Sequence, residues 1–230
     1  MKKNDFARKP EAPILKTGAG TTGALDERVD AILMASGRSR RFGAENKLLV
    51  PFRGKPLARH TLDLLAAHTA YFNQIFFITA EEAVRKLAED MPVITQIHNS
   101  NPERGQRESI RLGALHAAAG YLMFFACDQA LLDGATVLRL YAARKKGAIC
   151  LPEYQGKTGS PALFSRTFRD ELASLKEGER GKDVILRHLN ACIHVPLESP
   201  VPLVDVDTRE ILHELETSWR HKGPPAGFRG

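Results

Sequence analysis

The sequence predicts a three-layer α/β/α sandwich around a mostly parallel sheet, and three observations carry that prediction. Its strands are continuously apolar rather than alternating, as strands covered on both faces must be. They alternate with segments of helical spacing. Glycine-rich or acidic turns follow several strands, at the ends where ligands of such sheets bind. The chain has 230 residues, enough to bury a core without disulfide support.

Residues 1–28 read as an irregular N-terminal extension, with Lys-Pro, Ala-Pro and a Gly/Thr run. That extension holds Gly18-Ala19-Gly20-Thr21-Thr22-Gly23, formally a dinucleotide fingerprint. The fingerprint works only when a strand feeds the turn, and Pro13 and Lys16 spoil residues 12–17 as a strand. Residues 29–34 form the first strand, broken only by Asp30, and a basic loop follows. Helical spacing runs over 56–67 through Leu57, His60, Leu64 and Ala67. Next come a strand at 74–79, a helix at 81–90, a strand at 93–97, a helix at 109–119 and a strand at 122–127. The second half is less regular. Helices are expected at 131–145, 168–175, 182–189 and 209–216, with extended segments at 148–151, 161–164 and 193–195. The expected organisation is one domain over 29–222 and a loose tail at 223–230.

Composition narrows the function. Lys and Arg number 33 against 27 Asp and Glu, a formal +6. Residues 36–59 hold seven basic side chains against Glu45 alone, so this window accounts for the whole excess. Such a focus suits a polyphosphate. Nucleic acid is not expected, because aromatics are 7%, do not interleave with the basic residues, and form no RRM or KH signature. No apolar run is long enough for a membrane span and no signal core is present, so a cytoplasmic location is expected. Cys127, Cys150 and Cys192 form no CxxC and read as reduced, structural thiols. The eight histidines show no metal-ligand spacing.

The basic loop runs Ser36-Gly37-Arg38-Ser39-Arg40-Arg41-Phe42-Gly43-Ala44-Glu45-Asn46-Lys47 directly after the first strand. Gly37 and Gly43 allow backbone N–H groups to face a ligand, Ser39 adds a hydroxyl, and Arg41 and Lys47 add charge. The spacing is not that of a Walker A loop, and phosphate binding is the reading. Asp128 ends the strand at 122–127, an address for metal or substrate, or else a helix cap. Asp205 and Asp207 share a side if extended, and Asp207 could instead cap the helix at Arg209. Gln106 offers a donor and an acceptor for a base edge, and Ser109 could cap or touch ribose.

Met34-Ala35-Ser36-Gly37-Arg38-Ser39-Arg40-Arg41-Phe42-Gly43, followed by Lys47, resembles the (L/A)AGxSxRxGxxK loop of the MobA-like nucleotidyltransferases. Gly54-Lys55-Pro56-Leu57, Gly105-Gln106 with Ser109, Cys127-Asp128-Gln129, Gly159-Ser160-Pro161 and Asp205-Val206-Asp207-Thr208 follow in family order. Together these motifs look most like the molybdenum cofactor cytidylyltransferase branch, and Ser36-Gly37, where guanylyltransferases usually carry Gly-Gly, leans the same way; Gly159-Ser160-Pro161 matches a region near the acceptor substrate. The resemblance implies a Rossmann-like nucleotidyltransferase fold and a Mg²⁺-dependent enzyme. It would transfer CMP from CTP to the terminal phosphate of molybdopterin-type molybdenum cofactor, releasing pyrophosphate. It also implies Arg41, Lys47 and Asp128 as catalytic residues. Ala35, Gly37, Ser39, Gly43, Gly105, Gln106 and Ser109 would hold the nucleotide, and Asp128 and Asp207 the metal. The product would pass through transient contact with a molybdenum hydroxylase or its maturation chaperone. Two alternatives stay open: another phosphorylated small acceptor, or a non-catalytic cofactor-binding chaperone.

Overall fold

A computed structural model describes residues 25–36, 42 and 45–222. The extension up to residue 24, Gly37, Ser39, Arg41, Gly43 and the tail from 223 lie outside the described residues. The architecture is a three-layer α/β/α Rossmann-like nucleotidyltransferase fold with a largely parallel central sheet. In chain order the strands are β1 (Val29–Met34), β2 (Pro51–Phe52), β3 (Lys55–Pro56), β4 (Phe72–Thr79) and β5 (Ile94–His98). They continue with β6 (Tyr121–Ala126), β7 (Ile149–Tyr154), β8 (Lys157–Thr158), β9 (Ala162–Ser165) and β10 (Cys192–Pro196). The helices are α1 (Leu57–Ala67), α2 (Glu82–Arg85), α3 (Gln106–His116) and α4 (Gly134–Ala143). After them come α5 (Arg169–Ala173), α6 (Gly181–Arg187) and α7 (Arg209–Lys222).

The main sheet runs β10-β7-β9-β6-β1-β4-β5, with β8 paired to β7. The four strands β6, β1, β4 and β5 are parallel, and β9 enters antiparallel between β6 and β7. Burial on both faces explains the unbroken apolar strands. Leu33, Phe77 and Phe125 point into one core layer, while Ile32, Ile78 and Phe124 point into the other. The one interruption in β1 is a tie. Asp30 is fully buried and its carboxylate accepts from Ala118 N (2.7 Å), Ala119 N (2.8 Å) and Asn73 Nδ2 (2.9 Å). These three hydrogen bonds let the buried acid tie β1 to β4 and to the turn entering β6.

Three expectations move. The helix expected to start at Ser109 starts at Gln106, because Gly105 takes φ +70° and ψ −153° and turns the chain into the helix. Only glycine holds that backbone without strain. The helix expected from 131 begins at Gly134, where Asp133 caps it by accepting from Thr136 N (2.8 Å). The segment at 81–90 divides into α2 and a 3₁₀ turn at Lys86–Ala88. Among the described residues no helix is long and apolar enough to cross a membrane.

Candidate active site

The carboxyl ends of β1 and β6 lie side by side in the sheet, Met34 beside Ala126, and the sequence delivers charge after each of them. On one side, Asn46 accepts from Leu48 N (3.0 Å) and starts the 3₁₀ turn Lys47–Leu49. That cap fixes where Lys47 leaves the basic loop. On the other side, Asp128 follows β6. Its carbonyl accepts from Val206 N (3.0 Å), which brings the Asp205–Asp207 segment alongside. Lys47 Nζ then lies 2.6 Å from Asp128 Oδ2 and 2.8 Å from Asp207 Oδ1.

The electrostatics follow from that bridge. Burial works against the Lys47 ammonium, but Asp128 and Asp207 outweigh it and hold its pKa above the ordinary value. Asp205 stands on the same side, as its two-residue spacing from Asp207 implied, and both line a groove of about 1300 Å³ with Asp128. Burial, then the charges of Asp128 and Asp207, push its carboxyl up to about 6. Asp128 Oδ1 is buried and has no hydrogen-bond partner. Burial, and then the Asp128 charge, drive the Cys127 thiol well above its ordinary value.

The capping alternatives resolve. Asp128 caps nothing, because α4 has Asp133. The helix α7 is capped by Thr208, whose Oγ1 accepts from Ile211 N (3.3 Å), and this leaves Asp207 to Lys47. A smaller cavity of about 140 Å³ brings together Ser36, Lys47, Gln106, Ser109 and Asp128. Ser109 is buried and Gly105 lines the wide groove beside it. Ala35 is the exception: it points into the core and gives its N–H to Ile78 O (2.8 Å), so Met34 and Ser36 line the cavity instead.

Sequence reasoning missed what holds these segments in place. Phe42, Leu131, Val206 and Leu212 meet in one apolar cluster, so the basic loop, the residues after Asp128 and the residues before Asp207 share an anchor. Arg209 reinforces it, pairing with Glu45 (2.8 Å) and lying 5.3 Å from the Phe42 ring centre. Phe42, a large apolar side chain in an otherwise charged and small-residue loop, was the available signal. Asp205 and Ser160, singled out in the sequence with Asp207 and with Gly159-Ser160-Pro161, also stand at the groove wall.

A cationic side chain between Asp128, at the end of β6, and Asp207, ahead of α7, sits where ligands of doubly covered parallel sheets bind. The chain belongs to the family of the MobA-like NTP transferase domain, whose model matches residues 31–192. It is thus a nucleotidyltransferase. It is 28% identical to a molybdenum cofactor guanylyltransferase of Vibrio cholerae, over 65% of this chain and 72% of that protein. It is also 28% identical to one of Shewanella putrefaciens, over 79% of this chain and 93% of that one. The structure of Rv0371c from Mycobacterium tuberculosis H37Rv, also solved in complex with manganese, superposes with a TM-score of 0.69 at 27% identity, covering 83% of this chain and 98% of that one.

These relatives correct the cytidylyltransferase assignment, and with it CTP and CMP transfer: they are guanylyltransferases. The structure explains why Ser36 misled. It is 8% exposed and its hydroxyl donates to Ile78 O (3.3 Å), tying β1 to β4. A side chain engaged in that tether is a poor reporter of which base is bound.

Proposed function

We propose that this chain transfers GMP from GTP to the terminal phosphate of a molybdopterin-type molybdenum cofactor, releasing pyrophosphate. The observation that carries this reading is the Lys47 ammonium set between Asp128 and Asp207, two acids that line an open groove. The names of the relatives supply the nucleotide and the acceptor.

The reaction forms a bond from an acceptor phosphate oxygen to the α-phosphorus as the bond to the pyrophosphate oxygen breaks. A phosphate monoester is largely ionised at neutral pH, so no histidine base is needed. The work is to hold two anions in line and to absorb charge on the departing group. Lys47, kept protonated by its acids, supplies that charge. Arg41 and the backbone around Gly37, Ser39 and Gly43 would wrap the triphosphate, while Gly105, Gln106 and Ser109 would hold base and ribose.

A divalent cation, Mg²⁺ by preference, fits Asp128 and Asp207. The pair already accepts a positive group, and Asp128 Oδ1 has an unused buried acceptor. Among the described residues no three His, Cys, Asp or Glu side chains can hold an ion by themselves. Nucleotide phosphates would therefore complete the shell, as is usual for Mg²⁺. Bound there, the cation would neutralise charge on the α-phosphoryl oxygens.

The test is a panel of GTP, CTP, ATP and UTP, each with purified molybdenum cofactor, followed by pyrophosphate release and product mass. Turnover with GTP well above the others is expected. Preference for another nucleotide would overturn the base assignment, and no turnover with any would overturn the enzyme reading.

A further inference from the structure

The proposed chemistry uses Lys47, Asp128 and Asp207, but leaves a second ion pair beside them without a role. Glu45 stands two residues before Lys47, and Arg209 two residues after Asp207. Lys47 Nζ meets Asp207 Oδ1 at 2.8 Å, and Arg209 Nη2 meets Glu45 Oε2 at 2.8 Å. The basic loop and the acidic segment are thus joined by two rungs, 47 to 207 and 45 to 209, with the charges reversed from one rung to the next.

Stability does not explain the outer rung. Arg209 is the first residue of α7, where the helix dipole favours acids and disfavours a cation. The two side chains are 56% and 68% exposed, so the pair adds little to folding. The guanidinium is nevertheless placed, lying 5.3 Å from the ring centre of Phe42, a side chain buried with Val206 and Leu212. That contact limits where the cation can reach, and what it reaches is Glu45.

The inner rung cannot last through the proposed reaction. Lys47 would turn to the departing pyrophosphate and Asp207 to a divalent cation, so the bond between them gives way. The outer rung contains no group that the reaction draws on. We infer that Glu45 and Arg209 are positioning residues, a pair that keeps the basic loop in register with the acidic segment while Lys47 and Asp207 engage the triphosphate and its cation. The inference rests on the transferase reading above and adds to it the pair that aligns the site.

Charge alone predicts a different outcome, which makes the pair testable. A glutamate near a polyphosphate repels it, so by charge alone Glu45→Gln should tighten polyphosphate binding and Arg209→Gln should weaken it. A positioning pair requires that both weaken it. The experiment measures binding of inorganic tripolyphosphate with Mg²⁺ to the whole chain by calorimetry at low salt, beside the KM for GTP and the melting temperature. Each single variant should weaken tripolyphosphate about three- to fivefold and raise the KM for GTP in step, with the melting temperature held. The double variant should lose no more than the weaker-binding single one. The exchanged pair, Glu45→Arg with Arg209→Glu, should return binding to within about twofold of wild type. Tighter or unchanged binding in Glu45→Gln would overturn the assignment, as would additive losses in the double variant or an exchanged pair that fails to recover. If the binding pattern holds but the wild-type chain transfers no GMP, the pair stands and the transferase reading falls. If GMP is transferred with an unchanged KM for GTP in Glu45→Gln, the pair falls alone.

Discussion

The two halves of the sheet are built to different standards. The strands β1, β4 and β6 are parallel and sealed on both faces, with Ile32, Leu33, Phe77, Ile78, Leu122 and Phe125 wholly buried. Beyond β6 the order turns mixed: β9 runs antiparallel, β10 is an edge strand with exposed His194 and Pro196, and α6 stands off the sheet over an open slot. The difference follows the chemistry. In the proposed reaction, charges that would neutralise a triphosphate need fixed positions, which the sealed half offers at its strand ends, and a bulky acceptor would need the room that the looser half leaves.

Substitutions can break or sharpen that contrast. Asp128→Asn tests whether the sealed half carries the chemistry. Pyrophosphate release should fall about a thousandfold, equivalent to about 4 kcal/mol, with the melting temperature held. A retained rate would detach the reaction from the β6 end.

Phe77→Ala removes a wholly buried ring of the sealed half and should cost about 3–4 kcal/mol in urea unfolding. Leu186→Ala in α6, where the residue is 54% exposed, should change stability by less than about 0.5 kcal/mol. Equal losses would erase the distinction between the halves.

Gly113→Ala probes the close approach of α3 to β1, since an added Cβ would lie 2.5 Å from Ile32 Cγ2. Overpacking of that kind should cost about 1–3 kcal/mol by thermal or chemical unfolding. A further effect depends on pH. Glu108, 2% exposed in the first turn of α3, is paired with Arg111 (2.6 Å), and that hydrogen bond holds its carboxyl below the ordinary 4.5. A depressed carboxyl stabilises the fold above the unfolded value and loses the effect as pH falls through the folded one. Glu108→Gln should therefore destabilise by about 1 kcal/mol at pH 7 and by progressively less below pH 4.5, read as melting temperature against pH.

The sealed half was legible in the sequence because double burial writes itself as unbroken apolar runs. Asp128 was legible for the same reason, being the first charge after such a run. Helix starts were less so: Gly105 takes a left-handed backbone that no periodicity reveals, and Asp133 outcompeted Asp128 as a cap. Lys47 stood out by charge, but its partnership with Asp207 depends on a backbone bond between Val206 and Asp128, far apart in the chain. The base was misread because Ser36 was taken to report on the ligand, when its hydroxyl serves the neighbouring strand.

The apolar knot of Phe42, Leu131, Val206 and Leu212 gives the last helix a role beyond covering a surface. Its grip on three reactive segments at once means that slack introduced at Leu212 would misalign all of them together by the same slip. Trimming the chain back past that leucine should therefore silence turnover at temperatures where the sheet is still fully assembled.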